Sequence, residues 1–417
     1  MTKTQTSRFE LVRIELPVAW TFAGLVAGLG LGTILSGGAM IDSVVEWTAP
    51  IGTLWLRALQ MTIIPLVAAL LVLGIAQMAA AARAGAAARR MLLLVFALLT
   101  LGGIITATVM PWLLELAPIP ASASAFLAHT PEQAQQLPSL ADFVASLVSP
   151  NIVAAAAETA MLPFTIFFAL LAVAISKLSE GQRASLLGFF HALANAMLII
   201  IGWVLWLAPV GVFALGLGVA AQAGGGAFGA LLHYILVVSA MGGFVLLGAY
   251  VLAWIIGGIA PWRFARAMLP AQAVALSTQS SLASLPAMLD SSGRLGLRQS
   301  TAEFVLPLAV AIFRATSPAM NLAVAIYVAY LAGIELTPTL LAAGIGVALI
   351  ISVGSVSLPG SISFVVSIGP IALAMGVPIE PLALLVAVEM LPDIMRTLGN
   401  VTMNVAVTSA VDRVQHD

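Results

Sequence analysis

Five polar side chains, Glu389, Asp393, Arg396, Asn400 and Asn404, recur through the otherwise mostly apolar stretch EMLPDIMRTLGNVTMN. On a helix that turns about 100° per residue they fall at roughly 0°, 40°, −20°, 20° and 60°. They therefore share one stripe about 80° wide, with apolar residues over most of the remaining circumference. An Arg guanidinium grips a carboxylate with two parallel hydrogen bonds. Asp393 could accept from an ammonium group, and Asn400 could bond a backbone-like carboxylate. A cation and an anion at neighbouring positions suit a ligand that carries both signs, such as an acidic amino acid. The same residues could instead form a self-contained ion network that only locks helices together. Arg396 stands seven residues from Glu389 and three from Asp393, helical spacings at which charges can meet.

The surrounding chain decides what solvent this stripe meets. It has 417 residues, 61% hydrophobic and only 8% charged, with a mean hydropathy of +1.12. Soluble domains carry roughly 25% charged residues, so this chain cannot coat a globule and its solvent must largely be lipid. Apolar runs of about 20 residues, long enough to span a bilayer, recur along its length. The fold class expected is an all-α polytopic membrane protein; alternating ten-residue segments of a membrane barrel are lacking. A net charge of −1 gives no footprint for nucleic acid. Cysteine is absent, which excludes disulfides and thiolate chemistry. The four His residues, 129, 191, 233 and 416, have no metal-ligand spacing. The first apolar run, 15–37, is too long for a signal-peptide core and is expected to stay.

A charge at mid-membrane costs at least about 2.5–3.5 kcal/mol, so the stripe must face protein or a water-filled cavity. Long spans are expected at 15–37, 49–78, 91–116, 142–176 (broken), 187–221 and 229–257. Basic residues accumulate in cytoplasmic loops. With the N-terminus inside, thirteen of the sixteen Lys and Arg fall on the cytoplasmic side. That count requires 275–289 to enter and leave on one side. The exceptions are Arg57, which can snorkel to the outer surface, and the deep Arg314 and Arg396.

Two apolar segments, ALSTQSSLASLPAML (275–289) and SVGSVSLPGSISF (352–364), are interrupted by Ser, Gly and Pro. Irregular backbone at membrane depth survives only where protein buries it or water reaches it. Both contain Ser-Leu-Pro, and each precedes a long apolar helix with one deep Arg. Such duplication points to an inverted-repeat transporter with its site near the midplane. Hairpin tips would offer backbone N–H donors to an anion. A Ser/Gly packing seam between helices is the plainer reading of either segment alone.

These residues resemble the dicarboxylate/amino acid:cation symporter family, which contains the glutamate transporters and their prokaryotic relatives. LRALQMTIIPLVAALLVLGIA (56–76) looks like the family's second span and APVGVFALG (208–216) like its fifth. TQSSLASLP (278–286) and SVSLPG (355–360) resemble the two hairpin tips, and DIMRTLGN (393–400) matches D-x-x-R-T-x-x-N of the last helix. The resemblance implies eight transmembrane helices plus two re-entrant helical hairpins, an elevator fold with inverted repeats, and a homotrimer in the inner (plasma) membrane with both termini cytoplasmic. Scaffold spans 1–2 would occupy 1–80, span 3 and an outer loop 81–141, scaffold spans 4–5 142–228, and span 6 229–260. A core transport domain would fill 261–417, with hairpin 275–289, span 302–332, hairpin 339–376 and span 379–412. Asp393 would bind the substrate amino group and Arg396 its side-chain carboxylate, with Thr397, Asn400 and Ser317 completing the pocket. Ser280 and Ser281 in the first tip, and the backbone near Leu358 and Gly360 in the second, would hold the main-chain carboxylate. The second hairpin would be the gate. The presence of both Asp393 and Arg396 points to aspartate or glutamate; a C4-dicarboxylate or neutral amino acid symporter of the same fold, proton- or sodium-coupled, is the alternative.

The chain departs from the family where sodium would bind. Phe313-Arg314-Ala315-Thr316-Ser317 stands in place of the usual N-M-D-G-T. Asn404 stands where sodium-coupled members often carry Asp, and Gln279 where some prokaryotic members carry Arg. Hard cations want oxygen ligands and negative charge, which Phe and Ala do not supply. The expectation is that Arg314 takes the electrostatic role of the missing cation, that no metal or other cofactor is held, and that transport is sodium-independent, either proton-coupled with Glu389 as carrier or uncoupled. In the plainer reading Arg314 only neutralises acidic neighbours and sodium binds through backbone carbonyls. An intramembrane hydrolase built on Asp393 and Glu389 is disfavoured, because Arg396 would keep both carboxylates ionised. A structural or regulatory membrane protein, showing no uptake, is the remaining class.

Overall fold

The computed structural model describes residues 17–36, 40–83, 85–123, 145, 147–223, 226–354 and 360–414. Among them there are seventeen α-helices and no strand. In chain order these are α1 (Val18–Leu35), α2 (Ile41–Gln60), α3 (Ile63–Ala82), α4 (Ala86–Leu116), α5 (Ile152–Ala157), α6 (Met161–Ile175), α7 (Glu180–Trp206), α8 (Ala208–Ala223) and α9 (Gly226–Ile255). The C-terminal part continues with α10 (Pro261–Thr278), α11 (Leu285–Leu295), α12 (Gln299–Ile312), α13 (Thr316–Leu331), α14 (Pro338–Gly354), α15 (Gly360–Ala374), α16 (Glu380–Leu385) and α17 (Met390–Val414). Five helical stretches are long and apolar enough to cross a bilayer: Ser43–Ala82, Ala88–Leu116, Glu180–Trp206, Gly226–Ile255 and Gln299–Leu331. Large apolar side chains such as Trp47, Trp112, Trp203 and Trp254 face outward. The molecule is thus an all-helical, membrane-spanning protein whose solvent-like surroundings are hydrocarbon.

The N-terminal helices pack by small residues. Gly24, Gly28 and Gly32 repeat every fourth position, so they line one side of α1. A Cβ at Gly24 would collide with the Pro209 carbonyl oxygen, and one at Gly28 with the Phe213 carbonyl oxygen. Close approach of this kind gains dispersion contact where lipid offers no hydrophobic drive between helices. Trp55 of α2 adds a buried hydrogen bond from Nε1 to the Val204 carbonyl oxygen, 2.9 Å.

Both interrupted segments lie between antiparallel pairs of helices. α10 and α11 pack together, as do α14 and α15. The first pair turns at 279–284, where Gln279 takes the left-handed conformation with φ 49° and its N–H meets the Ala275 carbonyl oxygen. Pro286 sits in the first turn of α11, where a missing N–H costs nothing. The two helices span 261–295, where the sequence expectation gave a hairpin of 275–289. The second turn, 355–359, lies outside the described residues, and with it Leu358; Gly360 opens α15.

α13 is buried on every face from Thr316 to Ala329. A helix apolar all round belongs in the middle of a protein, and α13 contacts α4, α9, α14, α15 and α17. The span expected as continuous over 302–332 is interrupted at Phe313–Ala315, where Phe313 is extended with φ −116° and ψ 111°. The last span is also interrupted: α16 ends at Leu385, and residues 386–389 form turns before α17.

Gly28→Leu is expected to force α1 away from α8 at an overpacking cost of about 1–3 kcal/mol, lowering the thermal melting midpoint of the purified protein. Gly30→Leu, whose added Cβ meets nothing within 4 Å, is expected to leave it unchanged.

Candidate functional site

The last helix starts where the polar stripe starts. Glu389 sits in the turn just before α17, and its carbonyl oxygen accepts the Asp393 N–H at 2.9 Å. The helical phase thus carries back to Glu389 although the regular helix begins at Met390. Pro392 falls in the first turn of α17, where a proline is tolerated. Asp393 lies in that same turn, the place where a helix dipole favours an anion.

Arg396 is the centre of the cluster. Its Nη2 donates to Glu389 Oε1 at 2.5 Å, and its Nε lies 3.3 Å from Asp393 Oδ1. Its Nη1 donates to the side-chain oxygen of Asn321 on α13, also at 2.5 Å. Glu389 is 0% exposed, and Asp393 and Arg396 are each 7% exposed. A guanidinium has five N–H donors; each terminal nitrogen donates once here, Nε faces Asp393 as an ion pair, and one N–H remains on each terminal nitrogen. Those two can receive a ligand carboxylate end-on. The second oxygen of Glu389, Oε2, is buried without a hydrogen-bond partner among the described residues, as is the hydroxyl of Tyr234 on α9. Tyr234 lies close enough to Glu389 and Arg396 to feel both charges.

Arg314 lies in the break between α12 and α13, half-buried, within electrostatic reach of Asp393 and Arg396. The interruption at 313–315 is what brings Arg314 within reach of the last helix. Two guanidiniums and two carboxylates therefore share one neighbourhood, so its formal charge balances before any ligand enters.

Asn400 ties the two helices together. Its side-chain oxygen accepts from the Thr316 N–H and from the Thr316 hydroxyl, each at 3.0 Å. It thereby satisfies an N–H in the first turn of α13 that no intrahelical partner can reach. Gly399 makes the approach possible, because a Cβ there would lie 2.5 Å from Thr316 Cγ2. With its oxygen committed, Asn400 has its amide N–H groups to offer a ligand. Thr397 is buried on the same helix. Asn404 is 0% exposed, and neither atom of its amide has a partner among the described residues.

The remaining residues of the sequence reading sit as follows. Ser280 and Ser281 lie half-buried at the first tip. The Ser280 side chain accepts from the Ala283 N–H at 3.2 Å, so it also shapes its own turn. Gln279 occupies the left-handed position that ends α10. Ser317 lies on α13, with its hydroxyl bonded to Asn321 and to Ser352 of α14. Three residues missed in the sequence stand out: Asn321, Thr316 and Ser352. Asn321 carried a readable signal, being a lone amide inside the apolar run PAMNLAVAIYVAYL.

A buried cluster of opposite charges on the helices of a membrane-spanning protein is an arrangement that a solute carrier can use. Residues 18–414 match the sodium:dicarboxylate symporter family, and the chain belongs to it. The chain is 28% identical over 395 residues to the proton/sodium-glutamate symport protein of Bacillus subtilis (strain 168), covering 92% of this chain and 89% of that protein. It is 27% identical over 417 residues to the proton/glutamate-aspartate symporter of Escherichia coli (strain K12), covering 97% and 94%. It is 26% identical over 374 residues to the C4-dicarboxylate transport protein of Laribacter hongkongensis (strain HLHK9), covering 87% and 82%.

Arg396→Ala would leave two buried carboxylates without the cation they share. The expected loss of stability is about 3–5 kcal/mol, read as a lowered midpoint in chemical denaturation. Arg396→Lys, which keeps the charge without the planar fork, is expected to recover only part of it.

Proposed function

We propose that this protein is a secondary active transporter for acidic amino acids, aspartate or glutamate. The observation that carries the reading is the pairing of Asp393 and Arg396 on one buried helix face, each with capacity left for a ligand. Arg396 turns both terminal nitrogens to the side-chain carboxylate, exchanging its bonds to Glu389 and Asn321 for bonds to the ligand. Asp393 accepts from the ammonium group. Thr397, Ser317 and the Asn400 amide line the pocket, and the two hairpin tips, with Ser280 and Ser281 in one and Leu358 and Gly360 in the other, take the main-chain carboxylate through backbone N–H groups. The substrates printed in the names of the Bacillus and Escherichia relatives support this class of ligand. The transport domain, residues 261–417, moves against the scaffold in a homotrimer as an elevator, with the second hairpin as gate. The charge distribution supports placement in the inner membrane with both termini cytoplasmic.

Transport on this reading is independent of sodium. A sodium ion needs several oxygen ligands and negative charge. Phe313 and Ala315 have no side-chain oxygen, and Arg314 holds a fixed positive charge beside Asp393. Arg314 supplies the positive charge that an alkali cation would bring, and Glu389, with one oxygen on Arg396 and one unpartnered, is the proton carrier. A substrate carboxylate that draws Arg396 away leaves Glu389 as a buried carboxylate without its cation, which favours taking up a proton.

Uptake of radiolabelled aspartate into proteoliposomes tests the reading. Equal uptake in sodium, potassium and choline, raised by an inward proton gradient and blocked by unlabelled glutamate, is the expected result. Succinate or serine competing better than glutamate would assign the C4-dicarboxylate or neutral amino acid alternative. Arg314→Ala is expected to lower sodium-free uptake at least tenfold; unchanged uptake would remove Arg314 from the mechanism.

A further inference from the structure

Arg396 is anchored on α13 through Asn321, and the bonding does not stop there. Asn321 Nδ2 donates to Ser317 Oγ at 3.0 Å. Ser317 Oγ lies 2.9 Å from Ser352 Oγ on α14, and Ser352 Oγ lies 2.6 Å from the Ala348 carbonyl oxygen. Asn321 is 2% exposed, Ser317 4% and Ser352 0%, so no bulk water competes for these bonds.

The direction of each bond follows from the arginine. A guanidinium can only donate, so the Asn321 side-chain oxygen must face Arg396. Its NH2 then points the other way, to Ser317. Ser317 Oγ accepts a second bond from the Ser352 hydroxyl, which also meets the Ala348 carbonyl oxygen. One consistent set of donors and acceptors runs from α17 through α13 to α14. Chains of this kind in a low-dielectric interior polarise one another. A serine bonded only to the carbonyl four residues back would be a local matter; the contact with Ser317 makes Ser352 part of something longer. Ser352 stands two residues before the end of α14, the arm that leads into the second hairpin turn.

We propose that Asn321 is a positioning residue for the substrate-binding arginine, and that the bonds Arg396–Asn321–Ser317–Ser352 couple the arginine's placement to the first arm of the second hairpin. When Arg396 turns to a ligand carboxylate, Asn321 loses the donor that sets its orientation. Ser317 then loses the Asn321 donor that fixes its hydroxyl, Ser352 loses its fixed acceptor, and the end of α14 is freed to rearrange. A ligand without a side-chain carboxylate leaves Arg396 with Asn321 and does not set off this change. The coupling rests on the proposed acidic-substrate site for its consequence in binding, but the bonds themselves exist without ligand.

Two readouts on the full-length protein in lipid nanodiscs separate these points. The first needs no substrate: hydrogen–deuterium exchange over 338–354 is expected to accelerate several-fold at the C-terminal end of α14 in Asn321→Ala, although residue 321 is on another helix. Thr408→Ala, which removes a buried hydroxyl bonded only within α17, is expected to leave it unchanged. The second is calorimetric binding of L-aspartate. The Arg396–Asn321 bond is given up when a ligand carboxylate takes the arginine, so its absence in Asn321→Ala is expected to lower Kd about tenfold. Ser352→Ala, a mild substitution, is expected to lower it in the same direction. The double variant is expected to bind no tighter than Asn321→Ala alone, since residues in one network do not add. Unchanged exchange in Asn321→Ala, full additivity in the double variant, or an unaltered Kd in Ser352→Ala would each overturn the coupling. Failure of the wild type to bind aspartate, glutamate or succinate would instead overturn the proposed substrate, leaving the exchange result to judge the network by itself.

Discussion

A single buried guanidinium organises this protein. Arg396 cannot lose its proton, so its charge must be answered wherever the fold puts it. Glu389, Asp393 and Asn321 answer it from three places: the turn before the last helix, the last helix itself, and the central helix. Each partner in turn constrains an element. Glu389 holds the 386–389 turn against the helix that follows, and Asn321 holds α13 alongside α17. Breaking any of these would leave a charge in a medium that cannot solvate it.

The interruptions in the helices follow from the same need. A continuous helix from Gln299 to Leu331 would satisfy all its own backbone groups and offer none. The break at Phe313–Ala315 frees the first turn of α13, and Asn400 caps it. The same break sets Arg314 near the acidic pair. Membrane proteins tolerate such backbone only where protein or a wet cavity meets its polar groups. Here the polar groups of α17 do so, and Gly399 gives them room. The rest of the molecule has a simpler task. The glycine face of α1 and the apolar faces of α3 and α8 provide close-packed helices whose outer surfaces match hydrocarbon, so the polar work is confined to the C-terminal part.

Two arginines and two carboxylates are grouped together before ligand arrives. In the proposed function, a doubly negative, singly positive amino acid would alter that balance by one charge, and a proton on Glu389 would restore it. Asn404, with both amide atoms unpartnered, shows that not every polar group along the stripe is drawn into the network.

The spacing of Glu389, Asp393, Arg396, Asn400 and Asn404 was enough to read one polar face, because helical periodicity is a local property. Hydropathy and charge were enough to read a membrane-spanning helical chain, since lipid imposes itself on every residue that faces it. Ser and Pro marked where α10 turns into α11, because those residues change what the backbone itself can do. The partners across helices were not legible. Asn321 lies 75 residues from Arg396 and Ser352 lies 35 from Ser317; no local pattern pairs an amide with a guanidinium at that distance. Nor did periodicity show that Asn400 would cap another helix, or that Arg314 would stand in a break rather than on a helix face. Those facts belong to tertiary structure, because the cost of an unpaired buried polar group is settled only when distant segments are packed together.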